Sequence, residues 1–329
     1  MKALVYTGPK AVRYCEQDDP MPQPGEVLVR VDAVGICGSD MHAYLGHDPR
    51  RVPPLILGHE AVGEVVAGPG TGRRAVLNPL ITCGLCDDCQ GGRSNLCRER
   101  KLIGMNRPGA FADLIAIPEA NLIPIPADMR AARAALTEPA ATALHAIALA
   151  GRVAHRPVAE ARALVLGGGS VGLLAALLLR DQGCGELWLG DINRLRRDTA
   201  ANAGPFHVFD PTHELPTNDG FDLVIDAVGA PATRATAVKA VRAGGVIMHI
   251  GLADSSGEMD VRRMTLAEVT FVGTYTYTPV DLRAAVNKLY SSALGDLAWI
   301  EQRALADGAN AFADLLNGQS AAAKIILKP

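Results

Sequence analysis

Four cysteines lie close together in a segment that is rich in glycine and aspartate. They follow the spacing C-x2-C-x2-C-x7-C and are Cys83, Cys86, Cys89 and Cys97. Four thiolates brought together in this way can hold zinc in a closed tetrahedral site, which indicates a structural role because no position is left for a substrate. Clustering also favours metal thiolates over disulfides. The weaker alternatives are four unrelated thiols, whose exposure and reactivity a metal would relieve, and an iron–sulfur cluster.

A second set of possible metal ligands is spread over residues 35–42, 58–60 and 137–139. The residues concerned are Cys37, His59, Glu60 and Glu138. Taken singly, Cys37 is more commonly a core thiol, His59 a loop histidine and Glu138 a charge at a helix N-terminus. The interpretation as a metal site therefore depends on what else the chain carries.

The segment ALVLGGGSVGLLAALLL places a glycine motif between an apolar strand and an apolar helix. In G-x-G-x-x-G the first glycine permits a tight turn, the second lets the backbone approach a pyrophosphate, and the third lets the helix pack closely. The helix N-terminus then offers free N–H groups to the anion. The predicted cofactor-binding residues are Gly167, Gly169, Ser170, Val171 and Gly172. A glycine-rich turn without a ligand is the alternative.

The position of Asp191 favours cofactor binding over a glycine-rich turn without a ligand. Asp191 ends the next predicted strand, nineteen residues after Gly172. A carboxylate there accepts hydrogen bonds from the adenosine ribose and repels a 2′-phosphate, so NAD is predicted and NADP is less favoured. Arg194, Arg196 and Arg197 follow and could soften this preference, although a solvated helix face also accounts for them.

The elements that must position these residues fall into two parts. Short strand patterns separated by proline and glycine clusters fill the first third, which predicts a β-rich lobe. Apolar strands then alternate with helices, which predicts a parallel sheet with right-handed crossovers and an α/β fold. The final KIILKP reads as a strand that could rejoin the first lobe. The predicted division is residues 1–139, 140–274 and 275–329.

Composition and charge exclude several classes of function. A chain of 329 residues is expected to form two lobes. The net charge is −3, and Asp87 and Asp88 lie beside the cysteines, so no basic field attracts nucleic acid or a membrane surface. Residues 171–179 are too few to span a bilayer, and the N-terminal residues lack the apolar core of a signal peptide. We therefore expect a cytoplasmic protein whose partner is a small molecule.

Five ordered motifs resemble the zinc-containing medium-chain dehydrogenases, the family of alcohol, sorbitol and threonine dehydrogenases, across essentially the whole chain. The motifs are GICGSDMH, LGHEAVGEV, CGLCDDCQGGRSNLC, TEPAATALHA, and LGGGSVG followed by Asp191. The resemblance implies a GroES-like β-rich catalytic domain and a Rossmann domain with a doubly wound parallel sheet. Glu138, where many alcohol dehydrogenases carry cysteine, makes the chain look more like the sorbitol, threonine and polyol branch.

The resemblance also implies the ligands of a catalytic zinc. Cys37, His59 and Glu60 would hold it, and Glu138 would bind it directly or through water. Three protein ligands leave a position for a substrate. An ion placed there lowers the pKa of a substrate hydroxyl and so makes hydride departure to the nicotinamide feasible.

A proton must also leave the substrate hydroxyl. In this family a hydroxyl two residues after the ligand cysteine passes the proton through the cofactor ribose to a nearby histidine, and Ser39 and His42 occupy the matching positions. A turn serine and a surface histidine are the alternatives. Other polar side chains lie on predicted loops near the cleft, and none of them is assigned a role: Tyr44, His47, Tyr275 and Tyr277.

The predicted function is that of a zinc-dependent oxidoreductase. It would transfer a hydride to NAD from a secondary alcohol of a polyol, sugar alcohol or hydroxy amino acid. The resemblance implies two Zn²⁺ ions per chain and a homodimer or homotetramer. Two alternatives remain open: a zinc-free relative that reduces quinones or enones, and a non-catalytic module that senses NAD.

Overall fold

The computed structural model describes residues 1–216 and 220–329. Its strands in chain order are β1 (Lys2–Gly8), β2 (Ala11–Glu16), β3 (Glu26–Gly35), β4 (Leu55–Ile56), β5 (Glu60–Ala67), β6 (Arg74–Leu77), β7 (Leu80–Ile81), β8 (Lys101–Leu102), β9 (Leu114–Pro118), β10 (Leu122–Pro124), β11 (Arg162–Leu166), β12 (Glu186–Gly190), β13 (His207–Phe209), β14 (Phe221–Asp226), β15 (Val241–His249), β16 (Thr270–Gly273), β17 (Ile300–Ala304) and β18 (Lys324–Lys328).

The helices connect and cover these strands. They are α1 (Gly38–Tyr44), α2 (Asp87–Gln90), α3 (Ala131–Ala134), α4 (Thr137–Val153), α5 (Ser170–Asp181), α6 (Arg194–Ala203), α7 (Pro231–Ala240), α8 (Val261–Leu266), α9 (Pro279–Tyr290) and α10 (Gly308–Leu316). None of the helices in residues 1–216 and 220–329 is long and apolar enough to cross a bilayer.

The first lobe is organised around β3. Val27, Val29 and Val31 alternate with more exposed residues along this strand and bury their side chains in the core. The main sheet has the order β10-β6-β5-β3-β18-β17, and β9 also pairs with β3. β3 and β5 run antiparallel in a register that sets Gly35 opposite Glu60. This pairing fixes where the chain segments that follow β3 and precede β5 meet.

The second lobe contains a parallel sheet with the order β13-β12-β11-β14-β15-β16. Neighbouring strands are parallel throughout, from β13 to β16. The chain order along the sheet reverses between β11 and β14, and dinucleotides bind at such a switch point, outside the carboxyl ends of the strands. The predicted α/β class with a doubly wound parallel sheet is therefore confirmed.

The last strand returns to the first lobe. β18 pairs antiparallel with β3, with Ile326 opposite Gly35 and Leu327 opposite Val34. A continuous apolar core also joins the lobes, because Ala33 and Val62 from the first lobe belong to one cluster with Leu173 from the second. The candidate site lies where these strands and α4 meet.

One predicted boundary is different in the structure. The alternation of strands and helices in the sequence predicts a helix through AVKAVRAGG, whereas α7 ends at Ala240 and β15 begins at Val241. Val241 pairs with Phe221 of β14, and the register shifts before Val246 pairs with Leu223. The sheet pairing therefore overrides the local helical pattern, and Gly244, with a φ of 69°, accommodates the irregularity.

Candidate active site and cofactor site

Three of the predicted ligands converge in the first lobe. Cys37 follows β3 and precedes α1, while His59 and Glu60 lie at the start of β5. Their ligand atoms, a thiol sulfur, an imidazole nitrogen and a carboxylate oxygen, all lie within 4.8 Å of one another. Zinc bonds to such atoms measure about 2.0–2.3 Å, which sets tetrahedral ligands roughly 3–4 Å apart. The three side chains therefore fit a zinc ion with small adjustments.

Glu60 has a second partner that the sequence did not reveal. The buried Lys324 of β18 donates to both carboxylate oxygens of Glu60, at 2.7 and 2.6 Å, and to the carbonyl of Ile36 at 2.8 Å. Gly35 makes room for this carboxylate, because a Cβ there would stand 2.1 Å from Glu60 Oε2. A buried carboxylate and a buried ammonium compensate each other's charge, so Lys324 holds the carboxylate of Glu60 in place.

The ring of His59 lies between Asp40 and Ser39. Its Nδ1 is 3.5 Å from Asp40 Oδ1, and its Nε2 is 3.5 Å from Ser39 Oγ. Burial alone would lower the pKa of His59, but Asp40 and Cys37 together raise it well above the usual 6.5. Asp40 also accepts a hydrogen bond from the backbone N–H of Cys37 at 3.0 Å. Asp40 thus orients both His59 and the segment that carries Cys37.

Glu138 stands beside this group, at the N-terminus of α4, but does not belong to the cluster of mutually close ligand atoms in the described chain. Its carboxylate accepts a hydrogen bond of 2.8 Å from the hydroxyl of Tyr277. Burial raises the pKa of Glu138 to about 7, while the nearby His59 lowers it. Burial, together with Glu138, raises the pKa of Tyr277 well above 10. Tyr277 therefore contacts Glu138, a partner that the sequence did not suggest.

The two residues of the predicted proton relay both lie on α1. Ser39 is half-buried at its first turn, next to His59, and His42 is half-buried one turn later. The ring of His42 meets the ring of His47 edge-on, with 6.0 Å between centroids. Burial, followed by His47, lowers the pKa of His42 below the usual 6.5. The imidazole is therefore neutral at pH 7 and able to accept a proton.

The other residues considered near the cleft have distinct surroundings. Tyr44 is buried and packs against Phe312, with ring centroids 5.1 Å apart, which makes it a core residue. Tyr275 is half-buried, and the guanidinium of Arg100 lies 4.8 Å from its ring centroid. The carbonyl of Tyr275 accepts a hydrogen bond of 2.8 Å from the side chain of Asn95.

The four clustered cysteines bring their sulfurs together around α2. Cys83 Sγ lies 3.9 Å from Cys89 Sγ and 3.5 Å from Cys97 Sγ, and all four ligand atoms are within 4.8 Å of one another. Tetrahedral zinc thiolates have sulfurs about 3.8 Å apart, so the cluster fits one zinc ion. Backbone N–H groups, that of Leu85 first, lower the pKa of Cys83 to about 6. Its thiolate is thus favoured even before a metal binds.

The glycine motif forms the turn between β11 and α5. Gly167 has a φ of 103°, which favours glycine, and Gly169 is the N-cap of α5. A Cβ on Gly172 would stand 1.8 Å from the carbonyl oxygen of Gly167, so only glycine permits this close approach. Ser170 and Val171 occupy the first turn of the helix, where backbone N–H groups are free to bind an anion.

Asp191 is buried at the carboxyl end of β12. Its Oδ2 accepts from the backbone N–H of Gly168, and its Oδ1 from that of Asn193, both at 2.7 Å. Arg197 is held by the carbonyl of Asp191 at 2.8 Å and by the carboxylate of Asp210 at 2.9 Å. Arg194 is largely exposed. Of this arginine group, Arg196 is notable because its buried Nε has no hydrogen-bond partner in the described chain.

The dinucleotide-type sheet of the second lobe and the ligand cluster of the first lobe form the combination of sites found in dehydrogenases that bind a metal ion and a dinucleotide. Two protein-family sequence models match the chain. The alcohol dehydrogenase GroES-like domain family matches residues 23–127, and the zinc-binding dehydrogenase family matches residues 170–291. L-threonine 3-dehydrogenase of Sinorhizobium fredii is 32% identical over 294 residues, which cover 84% of this chain and 83% of that protein.

Two further relatives of the chain are also dehydrogenases. L-galactonate-5-dehydrogenase of Escherichia coli is 32% identical over 304 residues, covering 88% of this chain and 87% of that protein. The structure of a zinc-binding dehydrogenase from Sinorhizobium meliloti bound to NADP is 28% identical, has a TM-score of 0.87, and covers 100% of this chain and 99% of that one. The chain belongs to the zinc-containing alcohol dehydrogenase family and is an oxidoreductase that acts on alcohol groups, as the five motifs predicted.

Proposed function

We propose that the chain oxidises a secondary alcohol with NAD and uses a zinc ion held by Cys37, His59 and Glu60. The observation that carries this proposal is the convergence of these three ligand atoms within 4.8 Å of one another, beside Ser39. Zinc bound there supplies Lewis-acid polarisation of the substrate hydroxyl. Glu138 lies next to the three ligands and is placed to act through a water molecule. A second zinc, held by the four clustered cysteines, stabilises the first lobe.

The proposed path of the hydroxyl proton uses α1. Ser39 would accept the proton of the substrate hydroxyl while donating its own, and His42 would receive the released proton, with the ribose of a bound NAD supplying the hydroxyl between them. The position of Ser39 beside His59 supports the first step, because Ser39 Oγ is only 3.5 Å from His59 Nε2. The lowered pKa of His42 supports the last step, because a general base must be neutral before it accepts a proton.

The preference for NAD over NADP rests on Asp191. Two backbone N–H groups fix its carboxylate at the end of β12, where it would accept hydrogen bonds from the adenosine ribose of a bound NAD and would repel a 2′-phosphate. Arg197 is engaged by Asp210 and by backbone carbonyls, so it does not offset that repulsion. The structure of the relative from Sinorhizobium meliloti contains NADP, so the proposed preference for NAD depends on these residues of this chain.

The substrate that we propose is a polyol, a sugar alcohol or a hydroxy amino acid. Two relatives at 32% identity are named for L-threonine and L-galactonate, each of which bears several polar groups around the reacting carbon. Glu138 and Tyr277 add a carboxylate and a phenol beside the ligand cluster, which suits a substrate with more than one hydroxyl or amino group.

The test combines metal analysis with a substrate panel. We expect two zinc ions per chain and formation of reduced cofactor when the zinc-loaded protein meets NAD and one of a panel that includes L-threonine, L-galactonate and sugar alcohols. One zinc per chain with reduction of quinones or enones would instead identify the zinc-free type of reductase. Tight NAD binding without turnover over the whole panel would favour a sensor.

We further propose a division into residues 1–139, 140–274 and 275–329, a cytoplasmic location and a homodimer or homotetramer. Support for self-association comes from β16, the edge strand of the parallel sheet, whose Phe271 is 36% exposed. Edge strands are natural sites of pairing between identical chains. Light scattering coupled to size exclusion measures the mass, and a monomer at micromolar concentration would contradict this proposal.

A further inference from the structure

Arg51 is a buried cation beside the candidate active site. It lies in the segment between α1 and β4, and only 3% of it is exposed. Burial of a charge is costly unless the group is paired and hydrogen-bonded. The contacts of Arg51 therefore show what keeps the guanidinium in this position.

All three guanidinium nitrogens of Arg51 have partners. Nη1 donates to Asp48 Oδ2 at 2.6 Å, Nε donates to the carbonyl of Gly104 at 3.0 Å, and Nη2 donates to Ser39 Oγ at 3.3 Å. The first two contacts fix the plane of the guanidinium. The third contact joins this fixed group to the serine of the proposed relay.

The neighbouring Arg50 provides a natural comparison. It also binds Asp48, through Nε at 2.8 Å and Nη2 at 2.9 Å. Its side chain is nevertheless 62% exposed, whereas that of Arg51 is 1% exposed. The two arginines share one carboxylate, and the hydrogen bond to Ser39 comes from Arg51.

A serine hydroxyl carries one proton to donate and two lone pairs to accept, whereas a guanidinium can only donate. The contact with Arg51 therefore occupies one lone pair of Ser39 and turns the hydroxyl proton away from the guanidinium. The second lone pair has only the 3.5 Å contact with His59 Nε2 beside it, and it would be free for the substrate hydroxyl once that nitrogen binds a zinc ion. The serine proton is then directed towards the next acceptor. This is the arrangement that a hydroxyl needs in order to accept a proton on one side and donate one on the other.

We propose that Arg51 is a positioning residue that holds the hydroxyl of Ser39 in the orientation required for proton transfer, with Asp48 and Gly104 as its anchors. The inference rests on the proposed function of Ser39. Because Arg51 acts through Ser39, its removal should cost activity only in a protein that still has the serine hydroxyl.

A double-mutant cycle tests this dependence. We expect Arg51→Gln to lower kcat by about ten-fold with unchanged zinc content and NAD affinity, because misdirected groups slow proton transfer. In a Ser39→Ala background the same change should lower kcat by less than about two-fold, since coupled residues are not additive. Equal losses in the two backgrounds would overturn the proposal. Arg51→Lys, which keeps the charge in the buried site, replaces Arg51→Gln in the cycle should the latter fail to fold.

Arg50→Gln is the matched control, because it removes bonds to Asp48 but none to Ser39. Its kcat should stay close to that of the unmodified protein, and a loss equal to that of Arg51→Gln would also overturn the proposal. Crystal structures add a readout that does not depend on turnover. Ser39 should occupy one rotamer in the unmodified protein and several in Arg51→Gln, and several rotamers in the unmodified protein would contradict the inference. Absence of turnover by the unmodified protein would instead count against the proposed function.

Discussion

The hydroxyl of Tyr277 donates a 2.8 Å hydrogen bond to the carboxylate of Glu138, although 139 residues separate the two in sequence. Both side chains are buried, and they come from different parts of the chain: Glu138 from the start of α4, and Tyr277 from the segment between β16 and α9. This contact ties the segment that follows the parallel sheet to the edge of the proposed zinc site, and it fixes the orientation of a carboxylate that would otherwise be free to rotate.

Tyr277→Phe should loosen Glu138 without removing a proposed zinc ligand. Loss of a buried hydrogen bond to a carboxyl group costs about 1–3 kcal/mol of stability. The bond from Tyr277 lowers the pKa of Glu138, so its loss raises that pKa above about 7. We expect kcat/KM at pH 7 to fall by about ten-fold, because a reaction slows when a group in the active site, here the carboxylate of Glu138, is misplaced. Steady-state kinetics and thermal unfolding measure the two effects.

Tyr290→Phe is the matched control for this change. Its hydroxyl also contacts a carboxylate, that of Asp128 at 3.1 Å, but Tyr290 is 46% exposed. Kinetics and stability should therefore stay close to those of the unmodified protein. An unchanged kcat/KM in Tyr277→Phe would show that the orientation of Glu138 does not matter for the reaction.

The candidate ligands of the catalytic zinc could be predicted because five motifs in order resemble one family, whereas no single motif specifies the chemistry by itself. Lys324 could not, because it is 264 residues from Glu60 and belongs to KIILK, which has the pattern of an ordinary buried strand. Only the pairing of β18 with β3 brings its ammonium to the carboxylate. A lysine among apolar strand residues was the one available signal, and its partner followed from tertiary structure alone.

Tyr275 and Tyr277 show a second limit of sequence interpretation. Both were visible as tyrosines near the cleft, and residues two apart in an extended chain would point to the same side. Thr276 has a φ of 49°, which breaks this alternation. Tyr277 therefore reaches Glu138, while Tyr275 lies beneath Arg100. No local pattern in the sequence predicts that Thr276, which is not a glycine, has a positive φ.

The two proposed zinc sites should respond differently to the loss of one ligand. Cys97→Ser removes a buried ligand of the four-cysteine site, so zinc content should fall from two ions per chain to one. The melting temperature should drop by roughly 5–10 °C, because a structural zinc contributes folding free energy. Cys37→Ser should also retain one zinc, but with a nearly unchanged melting temperature and a loss of turnover of at least about 100-fold.

Metal analysis of purified proteins and thermal unfolding distinguish these outcomes. Cys15→Ser provides the control, because Cys15 is half-buried on β2 and belongs to neither cluster in the described chain. It should keep two zinc ions and full turnover. Two zinc ions in Cys97→Ser, or full turnover in Cys37→Ser, would contradict the assignment of the respective site.

Asp191→Ser should shift the cofactor preference. The change removes the carboxylate that we propose contacts the ribose and repels a 2′-phosphate, so kcat/KM with NAD should fall by about ten-fold or more, and the ratio of NAD to NADP efficiency should fall with it. Asp198→Ser is the control, because Asp198 is 64% exposed on α6 and should leave the ratio unchanged. A higher efficiency with NADP than with NAD in the unmodified protein would refute the prediction outright.

Asp48 should make a pH-dependent contribution to stability. Its hydrogen bonds with Arg50, followed by the charges of Arg50 and Arg51, lower its pKa from 3.8 to about 2 although burial opposes the shift. A carboxyl group whose pKa is lower in the folded than in the unfolded state stabilises the fold above the unfolded value, here about pH 4. That contribution is lost as the pH falls through about 2. At 1.36 kcal/mol per unit, the shift corresponds to about 2 kcal/mol at pH 7.

Asp48→Asn tests the sign of this contribution. Unfolding by urea should show a deficit of at least about 2 kcal/mol relative to the unmodified protein at pH 7, and the deficit should stay constant down to about pH 5. It should then narrow, with about half of the charge-dependent part gone at pH 3. Glu16→Gln removes an exposed partner of Lys2 and should unfold as the unmodified protein does, because solvent screens that pair. A deficit that widens as the pH falls would show that the ionised form of Asp48 destabilises the fold.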